Sequence, residues 1–413
     1  MPAASAAVER TVIVGAGHAG GRAAEALRAA DPAREIILIG GEAHPPYERP
    51  PLSKGVLAGT TAASDCYLHA AAWYAAQAIT LRLSSVVTAI DRAARMLVLE
   101  DGSRLGYDTL LLTTGARARP LTLPGAAEAG VLALRDIADA ERLAARLGPG
   151  VRLAVIGAGF IGLEVAAAAR QRGCSVHVIE LAPQPLGRVV DPAIGRYVAE
   201  LHRRHGVALH LGRAVRAIEP AAGGGHQVLL DDASRITAEV IVAGIGALPN
   251  SELAQAAGLE VRDGIITDAE GRTSDPTIRA AGDCTRHFNP LLGRHLRLES
   301  WQNAQNQAIA VARCMAGSAQ PHAEVPWFWS DQYDMNLQSL GAAEAGAELV
   351  WRIAPESGDF IAFALADGRI VGATGVNHGR DMAAVRRIMQ RGIVVAPALL
   401  ADPATRLATL AKA

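Results

Sequence analysis

Two glycine-rich segments have the residue spacing with the clearest chemistry. Each places GxGxxG between an apolar stretch and an alanine-rich stretch, in "TVIVGAGHAGGRAAEAL" and "LAVIGAGFIGLEVAAAA". In order, their glycines are Gly15, Gly17 and Gly20, and Gly157, Gly159 and Gly162. The first glycine of such a pattern makes a tight turn, the second lets the backbone approach a pyrophosphate, and the third lets the next helix pack on the strand. The sequence therefore predicts two dinucleotide-binding sites.

Acidic residues follow each glycine pattern at the distance expected for a ribose ligand. The strand "SVHVIE" ends at Glu180, whose carboxylate can accept hydrogen bonds from an adenosine ribose and repel a 2′-phosphate. This residue favours NADH over NADPH, although Arg188 is an alternative ligand that would bind the 2′-phosphate. In the first half of the chain the strand "EIILIG" is followed by Gly41 and Glu42, and we predict Glu42 as the ribose ligand.

The segment "PYERPPLSKG", residues 46–55, is rigid and contains Lys54 near its end. Its three prolines fix the backbone φ angle, so we expect a loop of one shape that forms no helix. Taken alone, this composition is typical of a surface turn with a solvated lysine. The segment alone does not indicate that Lys54 binds a cofactor, and motifs elsewhere in the chain must supply that evidence.

The elements that position these residues occur twice. Downstream of each glycine pattern, "LVLEDGSRLGYDTLLLTTG" and "QVLLDDASRITAEVIVAGIG" both predict two strands joined by a polar turn, then a buried strand ending in glycine. Beyond Pro326 we predict further strands, a hairpin at Asp367 and Gly368, and closing helices in "RDMAAVRRIMQRG" and "DPATRLATLAKA". The predicted fold class is α/β, with two Rossmann-like dinucleotide-binding domains and a small C-terminal α+β domain.

Composition argues against several classes of protein. Half of the 413 residues are apolar and the net charge is −1, which does not favour nucleic-acid binding by counterion release. We expect neither a secretory signal nor a membrane span. Cys66, Cys174, Cys284 and Cys314 form no CxxC pair, so we expect no disulfide framework and no metal site, as suits a reducing cytoplasm.

Several motifs together resemble one family. In chain order they are "GHAGGRAAEALR", "PYERPPLSKG", "LLTTGARARPL", "VIGAGFIGLEVAA", "AGIGALPNSELA", "AAGDC", "LESWQNAQNQA" and "PWFWSDQYD". Nearly end to end, the chain is similar to the FAD-containing, NADH-dependent reductases of ferredoxins in monooxygenase and aromatic-ring dioxygenase systems, which have a glutathione-reductase-like fold. The resemblance implies an FAD-binding domain of residues 1–118 and 248–326, an NADH-binding domain of residues 119–247 and a C-terminal α+β interface domain of residues 327–413.

The resemblance also implies roles for individual residues. Lys54 lies beside the flavin ring, and Asp283, after the Gly282 turn, accepts hydrogen bonds from the ribityl chain. Glu164 faces the nicotinamide, and we expect it to pair with Lys54 across a domain interface. Trp329 lies where the C-terminal domain meets the flavin.

Other positions match cofactor contacts of the family. They are Ala19, Arg49, Val87, Thr114, Gly115, Arg135, Phe160, Ile161, Gly244, Gly246, Glu299 and Trp301. This chain departs from the family at Gly41, where an aspartate is common, and the predicted ribose ligand is therefore the next residue, Glu42.

The implied activity is that of an NADH-dependent ferredoxin reductase. It takes hydride onto FAD and passes single electrons to a small, two-iron two-sulfur ferredoxin that serves a cytochrome P450 or a Rieske-type oxygenase. We expect a cytoplasmic monomer or weak dimer with neither nucleic acid nor a membrane as partner. Three alternatives stay open: a rubredoxin reductase, a disulfide or peroxide reductase using Cys284, and a non-enzymatic signalling protein that binds FAD and NADH.

Overall fold

The computed structural model of the chain describes residues 8–187, 189–318, 320–342 and 346–412. They form two compact units, each assembled from separated stretches of sequence. The described residues of the first unit lie within 8–48, 66–117 and 248–326, and those of the second within 49–65, 118–247 and 327–412.

The first unit is built on a five-stranded parallel sheet. Its strands, in spatial order, are Ile278–Ala280, Thr109–Leu112, Arg10–Val14, Glu35–Ile39 and Ile79–Arg82. The inner strands are runs of valine, isoleucine and leucine that are buried along most of their length, which is typical of a parallel sheet covered on both faces. The helices His18–Ala30 and Trp301–Met315 share one apolar cluster with this sheet.

Smaller elements complete the first unit. One antiparallel sheet contains Val87–Asp91, Met96–Leu99 and Arg104–Gly106, and a second, mixed sheet contains Ile265–Thr267, Thr285–Asn289 and Arg294–Leu296. The short helices are Ala71–Ala76 and Glu252–Ala256. The 3₁₀-helix Ala63–Cys66 and the strands Ala116–Ala118 and Ala247–Pro249 lie where the chain passes from one unit to the other.

The second unit repeats this plan. Its parallel sheet has the order Ala208–Leu211, Ser175–Glu180, Arg152–Ile156 and Val240–Ala243. Its antiparallel sheet contains Val215–Pro220, His226–Leu230 and Arg235–Ala238, and its longer helices are Ile137–Ala144, Phe160–Gln171 and Pro192–Arg204. Each unit therefore has a parallel sheet, a helix after the glycine pattern and a three-stranded antiparallel sheet, which confirms the predicted repeat and the α/β fold class.

The chain after Pro326 adds a five-stranded antiparallel sheet to the second unit. Its order is Trp327–Gln332, Met335–Gly341, Arg369–Val376, Phe360–Ala366 and Glu348–Arg352. The described helices of this part of the chain are Pro355–Ser357, a 3₁₀-helix, and Gly379–Arg391, Pro397–Ala401 and Leu407–Leu410. The predicted hairpin is confirmed, with φ of +50° at Asp367 and +70° at Gly368, as a two-residue turn requires.

Two local predictions are wrong. Pro50–Ser53 forms a 3₁₀-helix and Gly55–Ala58 a short α-helix, although we expect no helix in this proline-rich segment. Proline fits the first turn of a helix because its missing N–H would have no acceptor there. The closing helix is reduced to Leu407–Leu410, since Asp402 accepts a hydrogen bond from Thr405 Oγ1 and forms a local turn instead.

Arg352 holds the segment that follows the last long helix. The residue is 5% exposed, and its guanidinium donates hydrogen bonds to the carbonyl oxygens of Leu400 at 3.2 Å, Pro403 at 3.1 Å and Thr405 at 2.5 Å. A charged donor shared by three carbonyls is one of the stronger polar contacts available to a folded chain.

Replacing Arg352 with Met should lower the free energy of unfolding by about 2–3 kcal/mol, because carbonyl groups lose a buried charged donor. Arg369→Met is a matched control, since Arg369 lies on another strand of the same sheet and is exposed, with its bond to the Gly392 carbonyl at the surface. The control should change stability by less than about 0.5 kcal/mol. Urea unfolding measures both, and equal losses in the two variants would contradict the assignment.

Candidate functional site

The first glycine pattern forms a tight turn at the carboxyl end of a central strand. Gly15 has φ of +114°, and a Cβ at Gly20 would lie 2.0 Å from the Gly15 carbonyl oxygen, so only glycine lets the helix begin this close to the strand. The helix His18–Ala30 follows Gly17, which has no side chain to bond the first amides. These amides and the helix dipole fit a pyrophosphate.

Further predicted residues lie at the same edge of the sheet. Glu42 follows the strand Glu35–Ile39, and Tyr47 Oη donates a hydrogen bond to its Oε2 at 2.5 Å. Thr114 and Gly115 follow the strand Thr109–Leu112. Ligands of open parallel sheets bind beyond the carboxyl ends of the strands, so this set of donors and acceptors fits a dinucleotide.

The Gly282–Asp283 turn lies against the helix of the first glycine pattern. Gly282 has φ of +84°, and a Cβ there would lie 3.1 Å from Ala19 Cβ. The Gly282 N–H donates to Gln307 Oε1 at 2.9 Å, and Gln307 is buried. Asp283 follows directly and is half-buried. The structure therefore brings together the predicted residues Ala19, Gly282 and Asp283.

The start of the helix Trp301–Met315 lies near the same turn. The ring centroids of Trp301 and His18 are 5.3 Å apart, and His18 is the first residue of the glycine-pattern helix. Glu299 forms an ion pair with Arg297. His18 is absent from the predicted residues because it occupies one of the x positions of GxGxxG, where the pattern does not specify the residue type.

The second glycine pattern repeats the geometry of the first. Gly157 has φ of +103°, and a Cβ at Gly162 would lie 2.1 Å from the Gly157 carbonyl oxygen. A Cβ at Gly159 would have the Gly244 carbonyl oxygen as its nearest neighbour, at 3.8 Å, so the turn is open at Gly159. Gly246, with φ of +101°, lies just beyond the same edge of the sheet. The open side fits the close approach of a pyrophosphate.

Glu180 bonds to the backbone on both sides of its strand end. Its Oε2 accepts a hydrogen bond from the Ala158 N–H at 2.7 Å, and its Oε1 accepts one from the Ala182 N–H at 2.8 Å. These bonds fix the carboxylate in place, and a carboxylate there suits a ribose diol and repels a 2′-phosphate. The alternative ligand, Arg188, lies outside the described residues.

Glu164 places a carboxylate inside the second unit. The residue is 4% exposed, and Lys54 Nζ donates to its Oε2 at 2.8 Å. Ser53 Oγ donates to the same oxygen, and Ser330 Oγ donates to Oε1 at 2.6 Å. The predicted pair of Lys54 and Glu164 is therefore present, but the expectation that it spans a domain interface is wrong, because residues 49–65 pack with the second unit, which also contains Glu164. Three donors satisfy a charge whose burial would otherwise be strongly destabilising.

The strand Trp327–Gln332 separates two sets of side chains, because alternate residues of a strand face opposite ways. Phe328 meets Phe160 edge to face at a centroid distance of 4.6 Å. Trp327 and Trp329 stack on the other face, with centroids 5.0 Å apart. The predicted residue Trp329 therefore lies on the face opposite to Ser330, whose hydroxyl reaches Glu164.

Other predicted residues are placed individually. Arg49 Nη1 donates to the Arg135 carbonyl oxygen at 2.6 Å, so these two residues lie together. Val87 is buried in the apolar cluster of the first unit, and Ile161 is 44% exposed. Ser53, which sequence reasoning missed, lies within "PYERPPLSKG", directly before the lysine that was singled out.

Two families match the sequence, one after the other. Residues 9–308 match the pyridine nucleotide-disulphide oxidoreductase family. The chain belongs to this family of oxidoreductases. Residues 327–411 match the reductase C-terminal family, which covers the last antiparallel sheet and the helices after it.

The matches to named relatives cover almost the whole chain. The ferredoxin–NAD(+) reductase component of the anthranilate 1,2-dioxygenase system of Burkholderia cepacia is 51% identical over 96% of this chain and 98% of its own length. The crystal structure of the covalent putidaredoxin reductase–putidaredoxin complex has a TM-score of 0.94 at 38% identity, covering 98% of this chain and 99% of that chain. The ferredoxin reductase for the CYP199A2 system from Rhodopseudomonas palustris has a TM-score of 0.93 at 40% identity, covering 98% and 100%.

These matches confirm the predicted family, its fold and its enzyme class. They also support the predicted cofactor pair, FAD and NADH, since the family is one of pyridine-nucleotide oxidoreductases. The roles of individual residues stay predictions, and substitutions at the glycine turns can test them.

Alanine substitutions at two glycines of the second pattern should have different effects, one on stability and the other on NADH binding. Gly162→Ala should destabilise the second unit by about 2 kcal/mol or more, because its Cβ would collide with the Gly157 carbonyl oxygen. Gly159→Ala should fold normally but bind NADH at least about tenfold more weakly, because the Cβ would occupy the space for the pyrophosphate. Thermal unfolding and NADH titration separate the effects, and normal NADH binding by Gly159→Ala would refute the assigned site.

Proposed function

We propose that this protein takes hydride from NADH onto FAD and passes single electrons to an iron-sulfur ferredoxin. The observation that carries the proposal is the glycine turn present in each unit of a chain that matches ferredoxin reductases over almost its full length. We assign residues 1–118 and 248–326 to FAD, residues 119–247 to NADH, and residues 327–413 to a C-terminal interface domain.

FAD is assigned to the edge of the first parallel sheet. The amides after Gly17 bind its pyrophosphate, Glu42 its adenosine ribose, and Asp283 its ribityl chain. When bound, FAD supplies the conversion between hydride and single electrons, so the chain needs no redox-active side chain of its own. The protein residues bind and orient the cofactor.

Lys54 and Glu164 are assigned to the hydride-transfer step, and Trp329 is assigned a place near the flavin. With FAD bound, the Lys54 ammonium would supply positive charge beside the flavin ring. The Glu164 carboxylate keeps the ammonium group in one position through the 2.8 Å contact. Ser53 and Ser330 fix the carboxylate in turn.

The electron acceptor is assigned as a small, two-iron two-sulfur ferredoxin that serves a cytochrome P450 or a Rieske-type oxygenase. The support comes from relatives, one of which was crystallised as a covalent complex with putidaredoxin. A rubredoxin is the second candidate acceptor. We propose a cytoplasmic monomer or weak dimer without nucleic-acid partners. Among the described residues, no helix combines the length and apolar character needed to cross a membrane.

Cysteine chemistry has little support as an alternative. All four cysteines are buried, and burial raises the pKa of the Cys174, Cys284 and Cys314 thiols. Reactive thiols of reductases are accessible and have lowered pKa values. Cys284, which follows Asp283, donates to the Ala281 carbonyl oxygen at 3.4 Å in the core of the first unit. This environment is that of a structural cysteine.

Replacing Glu180 with Gln should reduce the preference for NADH over NADPH by about tenfold or more, because the variant loses a charged ribose acceptor and its repulsion of a 2′-phosphate. The ratio of kcat/KM for the two nucleotides measures the effect. Glu219→Gln is a control for charge alone, since Glu219 lies on an antiparallel strand of the same unit and pairs with Arg235. An unchanged ratio in Glu180→Gln would show that another residue selects the nucleotide.

The function is tested with the purified yellow protein, NADH and a panel of small iron-sulfur proteins that includes two-iron ferredoxins and a rubredoxin. Stopped-flow absorbance should show that NADH bleaches the flavin within a turnover and that a ferredoxin restores the colour. Bleaching over seconds or longer, without reduction of any iron-sulfur protein, would instead support the signalling alternative. Loss of activity with one equivalent of a thiol reagent would support the disulfide or peroxide reductase.

A further inference from the structure

A chain of buried side chains leads away from Glu164. Ser330 Oγ, which donates to Glu164 Oε1, accepts a hydrogen bond from Gln332 Nε2 at 2.9 Å. Gln332 Oε1 in turn lies 2.8 Å from His202 Nε2. Glu164 is 4% exposed, Ser330 and His202 are 0% exposed, and Gln332 is 1% exposed. The chain thus joins the helices Phe160–Gln171 and Pro192–Arg204 through one strand, inside the second unit.

The hydrogen bonds of this chain run in a single direction. A carboxylate only accepts, so the Ser330 hydroxyl must donate its single proton to Glu164. The Ser330 oxygen then accepts from the amide nitrogen of Gln332, which leaves the amide oxygen to face His202. His202 Nε2 must therefore carry a hydrogen.

The environment of His202 suits this neutral Nε2–H form. Burial lowers the pKa of His202 to about 4, although the hydrogen bond with Gln332 opposes the shift. Tyr333 Oη lies 3.5 Å from His202 Nδ1, where its hydroxyl can donate to the unprotonated ring nitrogen. The Tyr333 ring also stacks on His205 at a centroid distance of 3.6 Å.

We infer that His202 is a positioning residue that fixes the Glu164 carboxylate through Gln332 and Ser330. Its Nε2–H holds the Gln332 amide in one of its two orientations, and only that orientation presents an N–H to Ser330. The inference rests on the proposed function, in which Glu164 holds Lys54 for hydride transfer. These hydrogen-bonded side chains hold the Glu164 carboxylate in position and do not carry protons to it, because a neutral glutamine amide does not relay protons as a hydroxyl or imidazole does.

Substitution of His202 gives a kinetic test. His202→Phe keeps the ring and removes the donor, so the limiting rate of flavin reduction by NADH should fall by about fivefold, the scale of one lost hydrogen bond. The dissociation constant for NADH should change by less than about twofold, because neither glycine turn is altered. His202→Gln replaces the Nε2–H by an amide N–H and should restore most of the rate.

Two further variants provide a second test and a control. Gln332→Met breaks the chain one link nearer to Glu164, so it should show the same loss and serves if His202→Phe does not fold. His205→Phe is the matched control, since the new ring keeps the aromatic contact with Tyr333 and residue 205 takes no part in the hydrogen bonds between His202 and Glu164. The rate of flavin reduction in this variant should match that of the wild type. A wild-type rate in both His202→Phe and Gln332→Met overturns the inference. Equal losses in His202→Phe and His202→Gln also overturn it, because such losses reflect packing.

A second readout does not depend on activity. The ¹⁵N spectrum of histidine-labelled protein, with the His202 signal assigned by its absence in His202→Gln, should show the neutral Nε2–H tautomer between pH 6 and 8. Ser330→Ala should shift that signal from two links away. A neutral Nδ1–H tautomer overturns the inference, since the Gln332 amide would then be reversed. If NADH fails to bleach the wild-type flavin, the proposed function fails, and the tautomer alone decides whether the chain is ordered as described.

Discussion

The two dinucleotide-binding units depend on the contact between the first turn of a helix and the end of the strand before it. In each unit the carbonyl of the first glycine of the pattern lies where a side chain on the third glycine would be, so Gly20 and Gly162 leave no room even for a methyl group. This contact directs each helix N-terminus toward the carboxyl edge of its parallel sheet. The predicted ribose and phosphate ligands lie along those two edges.

Much of the fold is readable from the sequence because its signals are local. The glycine patterns, the apolar strands around them and the polar turns of the antiparallel sheets each occupy a short window, and they occur twice. The 3₁₀-helix Pro50–Ser53 is harder to predict, since a proline can either interrupt a helix or stand in its first turn. The residues that follow the proline decide which of the two occurs. The shortened last helix has a similar cause, because the Asp402 turn competes with helix formation.

The site is less readable where its residues are far apart in sequence. Lys54 and Glu164 could be paired in advance only through the family resemblance, since 110 residues separate them. Ser330, Gln332 and His202 have no local signal, because serine, glutamine and histidine at those spacings are typical of any soluble strand or helix. Their connection appears only when the strand Trp327–Gln332 is placed beside the helix Phe160–Gln171, which depends on the whole second unit.

The interleaved origin of the two units has a consequence for synthesis on the ribosome. The parallel sheet of the second unit is complete at Ala243, whereas that of the first unit still lacks its edge strand, Ile278–Ala280. The nascent chain therefore exposes the open side of Thr109–Leu112 while the intervening sequence emerges and folds. An unpaired apolar strand is prone to association, so the edge of Thr109–Leu112 stays available to other partners until Ile278–Ala280 has left the ribosome.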